Sequence, residues 1–168
     1  MPLDLERIYD THAQAIFAFV LNVTRRESET RDVLQEVFVK LVSRPDLLEG
    51  VRDERGFLLR LAHNLALDLL RRRGARERRD DQFATESETI FEPTHDTDEQ
   101  SYREALGAAL AALPDEQRAV AHLKLWEGQT FEAIAETLNI SPNTAASRYR
   151  YAIDKLRERL RPLYDEIK

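Results

Sequence analysis

Asn143, Thr144, Ser147, Arg148, Arg150 and Tyr151 lie in the stretch "ISPNTAASRYRYAIDKLRERL", Ile140 to Leu160. Their side chains suit hydrogen bonds to base edges and phosphates rather than bond-making chemistry. On a helix, Ala145, Tyr149, Ala152, Ile153 and Leu156 recur at i, i+4, i+7, i+8 and i+11. They form an inward side and turn Asn143, Thr144, Ala146, Ser147, Arg148, Arg150 and Tyr151 outward, with small residues where a groove must come close. A second set runs through "FLLRLAHNLALDLLRRR": Arg60, Asn64, Asp68 and Arg71 follow at steps of four or three, a polar stripe on a leucine-rich helix. Arg72, Arg73 and Arg76 extend it with cations that suit a nucleic-acid backbone and also complement the negative end of a helix dipole. A third set, Asp32, Gln35, Glu36 and Lys40, occupies the polar side of a helix whose other side carries Val33, Val37, Phe38 and Leu41. Such a side meets either a protein partner or solvent alone.

Covalent catalysis has little to stand on. His12, His63, His95 and His122 have no metal-ligand spacing, no glycine-rich phosphate loop is present, and no nucleophile sits in a recognisable setting. The expectation is a binding protein, not an enzyme, with no metal and no cofactor. The sequence has no cysteine, so disulfides and thiolate zinc sites are excluded, which suits a reducing compartment. The opening "MPLDLERIYDTH" lacks the basic tip and apolar run of a signal peptide, and no uninterrupted apolar stretch is long enough to span a bilayer. A cytoplasmic protein without membrane insertion is expected.

The elements that must position these side chains are all helical. Leu5, Ile8, Tyr9, Ile16, Phe19, Val20 and Val23 form one apolar face, and Val33, Leu34, Val37, Phe38, Leu41 and Val42 another. "SRPDLLEGVRDERG", punctuated by Pro45, Gly50 and Gly56, reads as a loop before the leucine-rich helix. From Gly74 to Gln100 the period is lost and a tether is expected. Helical spacing resumes at Ser101; Pro114 marks a helix start, and Gly128 suits a helix C-terminus. In "TFEAIAETLNISPNTAASRYRYAIDKL", Thr130 or a neighbour opens a short helix, "NIS" turns, Ser141 caps the next helix and Pro142 takes its first position. That is the organisation of a helix-turn-helix.

Charge divides the chain in the same places. Net charge is −6 overall, but residues 1–79 carry 15 basic against 13 acidic side chains, residues 80–104 carry 1 against 9, and residues 105–168 balance at 9 against 9. The acidity is concentrated in the segment with the least apolar content, as expected of a flexible linker. DNA affinity depends on where cations lie rather than on their sum.

Together these stretches resemble a known family. "LAALPDEQRAVAHLKLWEGQTFEAIAETLNISPNTAASRYRYAIDKLRERL" is similar to the fourth conserved region of bacterial sigma factors, and "RDVLQEVFVKLV" with "RGFLLRLAHNLALDLLRRRGAR" resembles their second region. The order and spacing, with no third-region domain between them, resemble the extracytoplasmic-function (ECF) type. The resemblance implies an all-α fold of two small domains: a region 2 bundle over 1–79, a flexible acidic linker over 80–100, and a region 4 helix-turn-helix domain over 101–168.

It also implies roles. Asp32, Gln35, Glu36 and Lys40 would bind core RNA polymerase, at the clamp helices of its largest catalytic subunit. Arg60, His63, Asn64, Asp68, Arg71, Arg72, Arg73 and Arg76 would recognise and melt the minus-ten element, with Asn64 matching the family's base-contacting asparagine. Asn143, Thr144, Ser147, Arg148, Arg150 and Tyr151 would engage the duplex minus-thirty-five element. Ala146 and Tyr151 depart from the family pattern, in which many relatives carry basic residues there. Linker acids Asp96, Asp98 and Glu99 would lie toward the RNA exit path. An anti-sigma factor is the implied inhibitory partner. A sigma-like decoy and a conventional helix-turn-helix regulator are the alternatives, and the region 2 stretches argue against the second.

Overall fold

The computed structural model describes residues 2–77 and 97–167, with side-chain environments for 2–74 and 100–162. Seven α-helices and one short 3₁₀ turn make up the described residues, in two compact units.

The first unit is built on α1 (Leu5–Thr24), α2 (Glu27–Ser43) and α3 (Glu54–Glu77). Asp4 caps α1 by accepting the Arg7 amide at 3.0 Å. Arg25 ends it in the left-handed region at φ 63°, its amide donating to the Leu21 carbonyl. The turn into α2 buries two hydroxyls that satisfy each other: Thr24 and Thr30 lie 2.8 Å apart, and Thr30 also donates to the Arg26 carbonyl. A 3₁₀ turn at Pro45–Leu48 and Gly50, at φ 72°, lead to α3. Asp53 caps that helix by accepting the Gly56 amide at 2.9 Å. A Cβ on residue 56 would come 2.3 Å from the Asp53 carboxylate, so a larger residue there would make that side chain turn aside. Gly56 therefore sits in the first helical turn, not in the loop, and Gly74 lies inside α3, which runs three residues past the expected break. The helix continues because a single glycine costs only about 1 kcal/mol.

Ile8, Ile16, Phe19 and Val20 of α1 meet Val33, Val37 and Leu41 of α2 and Leu58, Leu59, Ala62 and Ala66 of α3 in the core. Each large apolar side chain sealed there contributes about 1.5–3 kcal/mol. Tyr9 and Val42, expected on the core faces, are instead more than half exposed. They stand at the edges of their apolar stripes, where the spacing of a helix does not decide between core and rim.

The second unit is built on α4 (Thr97–Ala111), α5 (Asp115–Leu125), α7 (Pro142–Ile167) and α6 (Phe131–Leu138) from Phe131 to Ala135. α4 begins four residues ahead of the expected Ser101; apart from those residues, the predicted linker lies outside the described residues. Asp96 lies outside the described residues, and Asp98 and Glu99 lie in α4 with side chains outside the described ones. Ala109, Leu110 and Leu113 pack with Ala121 of α5 and Ala152 and Leu156 of α7. Gly128 ends the α5 region at φ 64°. Thr130 caps α6 by accepting the Ala133 amide at 3.1 Å, and Asn139 closes it in the left-handed region at φ 57°. Ser141 accepts the Thr144 amide at 3.0 Å and Pro142 opens α7, as the sequence pattern predicts. α7 runs through Pro162 to Ile167, beyond the stretch read as recognition helix.

His63 in the first unit and His122 in the second are buried, and burial holds both at a pKa of about 4 instead of 6.5; Glu127 partly offsets the shift at His122. Unfolded chains take up these protons near 6.5 and the folded protein only near 4. Stability is therefore complete above that window and falls as pH drops through it, by on the order of 3 kcal/mol per histidine. Urea midpoints measured between about pH 7 and pH 4.5 are expected to fall, and a His63→Leu/His122→Leu double variant to flatten the dependence; an unchanged slope would show that the imidazoles are not buried neutral.

Candidate nucleic-acid and partner interfaces

The side of α3 opposite its core leucines is where the polar stripe emerges. Leu58, Leu59, Ala62, Leu65 and Ala66 are buried, while Asn64, Asp68, Arg71 and Arg72 are exposed on the same helix. Arg60 is half-buried with its guanidinium 5.5 Å from the Phe57 ring centroid, which holds its charge beside the stripe. Arg71 lies 3.7 Å from Asp68, and Arg72 reaches the Asp68 carbonyl at 3.4 Å, so one carboxylate and one carbonyl orient two cations on the exposed side. Arg76 is in the last turn of α3, with its side chain outside the described ones.

Two residues of the expected set lie elsewhere. His63 is 7% exposed and packs with its ring centroid 6.1 Å from that of Phe19, because residue 63 falls on the buried side one step before Asn64. It is part of the core, not of the exposed stripe. Arg73 turns toward α2, where it is ion-paired with Glu29 and only 23% exposed. Arg26 approaches the same carboxylate at 3.7 Å. Arg73 is thus a packing cation of the bundle rather than a member of the solvent-facing arginines.

The start of α3 carries a matching arrangement that the sequence pattern did not disclose. Arg7 grips Glu54 with two bonds of 3.0 and 2.9 Å, and the Nε2 of buried His12 lies 2.8 Å from the same carboxylate. The Arg7 bond, chiefly, holds the Glu54 carboxyl below the usual carboxylate range; burial opposes this and His12 adds to it. Partners more than forty residues apart leave no local signature in a sequence.

Asp32, Gln35, Glu36 and Lys40 all lie exposed along α2. Val39 and Val42 share the exposed side, 51% and 61% accessible, and beside them Leu34 and Phe38 line an apolar groove with Leu5, Tyr9 and Phe17 of α1. Tyr9 and Phe38 close on each other at 5.3 Å between ring centroids. The polar strip of α2 thus adjoins an exposed apolar groove, where a wholly solvated face would be polar throughout. The signal that could have found it is Val39, an apolar residue within the polar arc of the helix.

In the second unit, Asn143, Arg150 and Tyr151 are exposed on α7, and Thr144, Ser147 and Arg148 are half-buried. Ser141 Oγ donates to Thr144 Oγ1 at 2.8 Å, which turns Thr144 toward the cap. Arg148 lies 3.6 Å from Glu116 of α5, and the Arg150 guanidinium sits 5.8 Å from the Tyr151 ring. Phe131 and Tyr149 pack at 5.7 Å, with the Lys124 ammonium 4.5 Å from the Phe131 ring, bracing the turn from behind. A further apolar groove, not anticipated from the sequence, runs between α4 and α7 over Tyr102, Leu106, Leu125, Ile153 and Leu160, with Arg150, Arg157 and Arg161 along its edge.

Comparison with known proteins agrees with this geometry. Residues 8–76 match the family model Sigma-70 region 2, and residues 109–158 match Sigma-70, region 4. The chain is 31% identical to the ECF RNA polymerase sigma factor SigL of Mycobacterium tuberculosis, over 95% of this chain and 90% of that protein. It is 26% identical to SigX of Bacillus subtilis, over 95% and 85%. Among solved structures, the sigma factor RpoE in complex with the anti-sigma factor NepR from Bartonella quintana has the same fold, with a TM-score of 0.77 and 22% identity over 94% of this chain and 97% of that one. The chain belongs to the ECF RNA polymerase sigma factors, the family of subunits that direct promoter-specific initiation of transcription.

Proposed function

We propose that the two units divide the work of initiation by residue as follows. The exposed side of α2, with Asp32, Gln35, Glu36 and Lys40 and the adjoining Val39 and Val42, docks on core polymerase. The stripe of α3, with Asn64 at its centre and Arg60, Asp68, Arg71, Arg72 and Arg76 around it, captures the melted minus-ten strand together with the loop before it. Removing a base from the stack costs a few kcal/mol, which Asn64 offsets by hydrogen bonding the base edge and the arginines by neutralising phosphates. α7 enters the duplex at the minus-thirty-five element through Asn143, Thr144, Ser147, Arg148, Arg150 and Tyr151. Arg148 and Glu116 form a loose pair at 3.6 Å that leaves the arginine able to turn to a phosphate. The domains are 1–79 and 101–168, with 80–100 between them, the latter's first helix reaching back to Thr97.

The observation that carries this reading is Asn64, exposed on a helix whose opposite side is sealed by five apolar residues. The protein acts by binding, without covalent chemistry, in the cytoplasm where its polymerase is; among the described residues no helix is long and apolar enough to cross a membrane. An anti-sigma factor restrains it by covering the apolar grooves on the two units. RpoE, solved in complex with the anti-sigma factor NepR, supports that control.

Three outcomes are expected with purified core polymerase on a promoter selected from a random library. Asn64→Ala leaves core affinity unchanged and slows promoter opening, read by permanganate reactivity of unpaired thymines, by about tenfold or more. Glu36→Lys raises the Kd for core by about tenfold or more, read by fluorescence anisotropy. Arg150→Ala lowers the slope of log K against log salt for upstream DNA by about one and leaves opening on a linked consensus intact.

A further inference from the structure

α3 is pinned at both ends to the helices beneath it. At its first residue, Glu54 takes two bonds from Arg7 and one contact from His12, both on α1. In its last third, Arg73 pairs with Glu29 at the start of α2. The two anchor points are about 28 Å apart along the helix axis, at roughly 1.5 Å per residue. Asn64 lies midway between them.

What fixes α3 in register is not its apolar seam alone. That seam of leucines and alanines sets which side of the helix is buried. The ion pairs add directed, charge-assisted contacts at its two ends, which weaken as donor and acceptor fall out of line. The Glu29–Arg73 pair is sheltered, with side-chain exposures of 15% and 23%; at the other end Arg7 is 52% exposed, and the shelter comes from Glu54 at 28% and His12 at 8%. Exposed pairs contribute little, whereas sheltered ones lose much when a partner is removed. Glu54 also closes the loop that begins after Ser43, so the same anchor sets where that loop ends.

We propose that Glu54 and Arg73 are positioning residues for promoter opening: the two ion-pair clamps hold the exposed stripe of α3 and the preceding loop in the one register that captures a melted base. Neither residue touches DNA in this scheme. The proposal rests on the assignment of α3 to the melted minus-ten strand.

The test uses holoenzyme reconstituted from the full chain and its core polymerase. Opening rates are compared on a duplex promoter and on the same promoter with a mismatched, pre-opened minus-ten segment. Arg73→Glu and Glu29→Arg are each expected to slow opening of the duplex by about tenfold while leaving core affinity and the pre-opened template nearly unaffected. The combined Glu29→Arg/Arg73→Glu exchange restores the pair with its charges reversed, and is expected to recover most of the rate. Glu54→Gln, a change of charge at constant shape that is gentler on folding, should repeat the single-variant pattern.

A combined exchange as slow as Arg73→Glu alone would overturn the proposal, because Arg73 would then act as a cation on DNA. Equal losses on both templates would overturn it as well, by reducing the clamps to fold stability. Asn64→Ala, run alongside, separates the two levels. If it opens duplex normally, the assignment of α3 fails and this proposal with it; if it is slow while the clamp variants are normal, the clamps alone are refuted.

Discussion

The polar stripe that the first unit presents on α3 follows from the sealing of that helix's other side. Leu58, Leu59, Ala62, Leu65 and Ala66 are removed from water by α1 and α2. A helix that has given up one side so completely must turn the other outward, and on that outward side the sequence places amide, carboxylate and guanidinium groups. The exposed stripe is thus a consequence of packing, and its usefulness depends on the packing being rigid. A melted base is held by a few directed hydrogen bonds, whose strength falls steeply when donor and acceptor are misaligned.

The second unit solves a different problem with the same means. In the proposed role α7 needs a defined entry angle into a groove, and local hydrogen bonds fix the turn that leads into it. Thr130, Asn139 and Ser141 satisfy or terminate the two helices within a dozen residues. Behind the turn, Phe131, Tyr149 and Lys124 form a small aromatic brace. The exposed surface then needs little more than small polar residues and a few well-placed arginines. This explains how a chain of net charge −6 can belong to a family that acts on promoters: nine of its acids fall in residues 80–104 of the sequence, outside the stretches that form α3 and α7.

How much of this was legible in the sequence depended on the range of the interaction concerned. Ser141, Pro142, Thr130 and Gly128 act on neighbours three or four residues away, and their roles could be read directly from the order of residues. Faces defined by the 3.6-residue period were legible at their centres, as with Phe19, Val37 and Ala152, but not at their edges. Tyr9 and Val42 went to the wrong side for that reason, and His63 went to the exposed stripe although it lies one step inside it. The ion pairs from Arg7 to Glu54 and from Glu29 to Arg73 bridge more than forty residues, and nothing local foretells them. Arg73 looked like one more member of an arginine run until the fold brought Glu29 beside it. The grooves over Tyr9 and Phe38 and over Leu106 and Ile153 were hidden likewise, since each needs two helices to exist.

The central claim is that one body of this chain reads melted DNA while the other reads duplex. Site-specific photocrosslinking from residues 64 and 150 of the holoenzyme on a single promoter tests it most directly. The account requires crosslinks from position 64 to the minus-ten strand that appear only as the complex opens, and from position 150 to the minus-thirty-five duplex before and after opening. Crosslinks from position 64 to closed duplex, or from both positions to the same element, would contradict it.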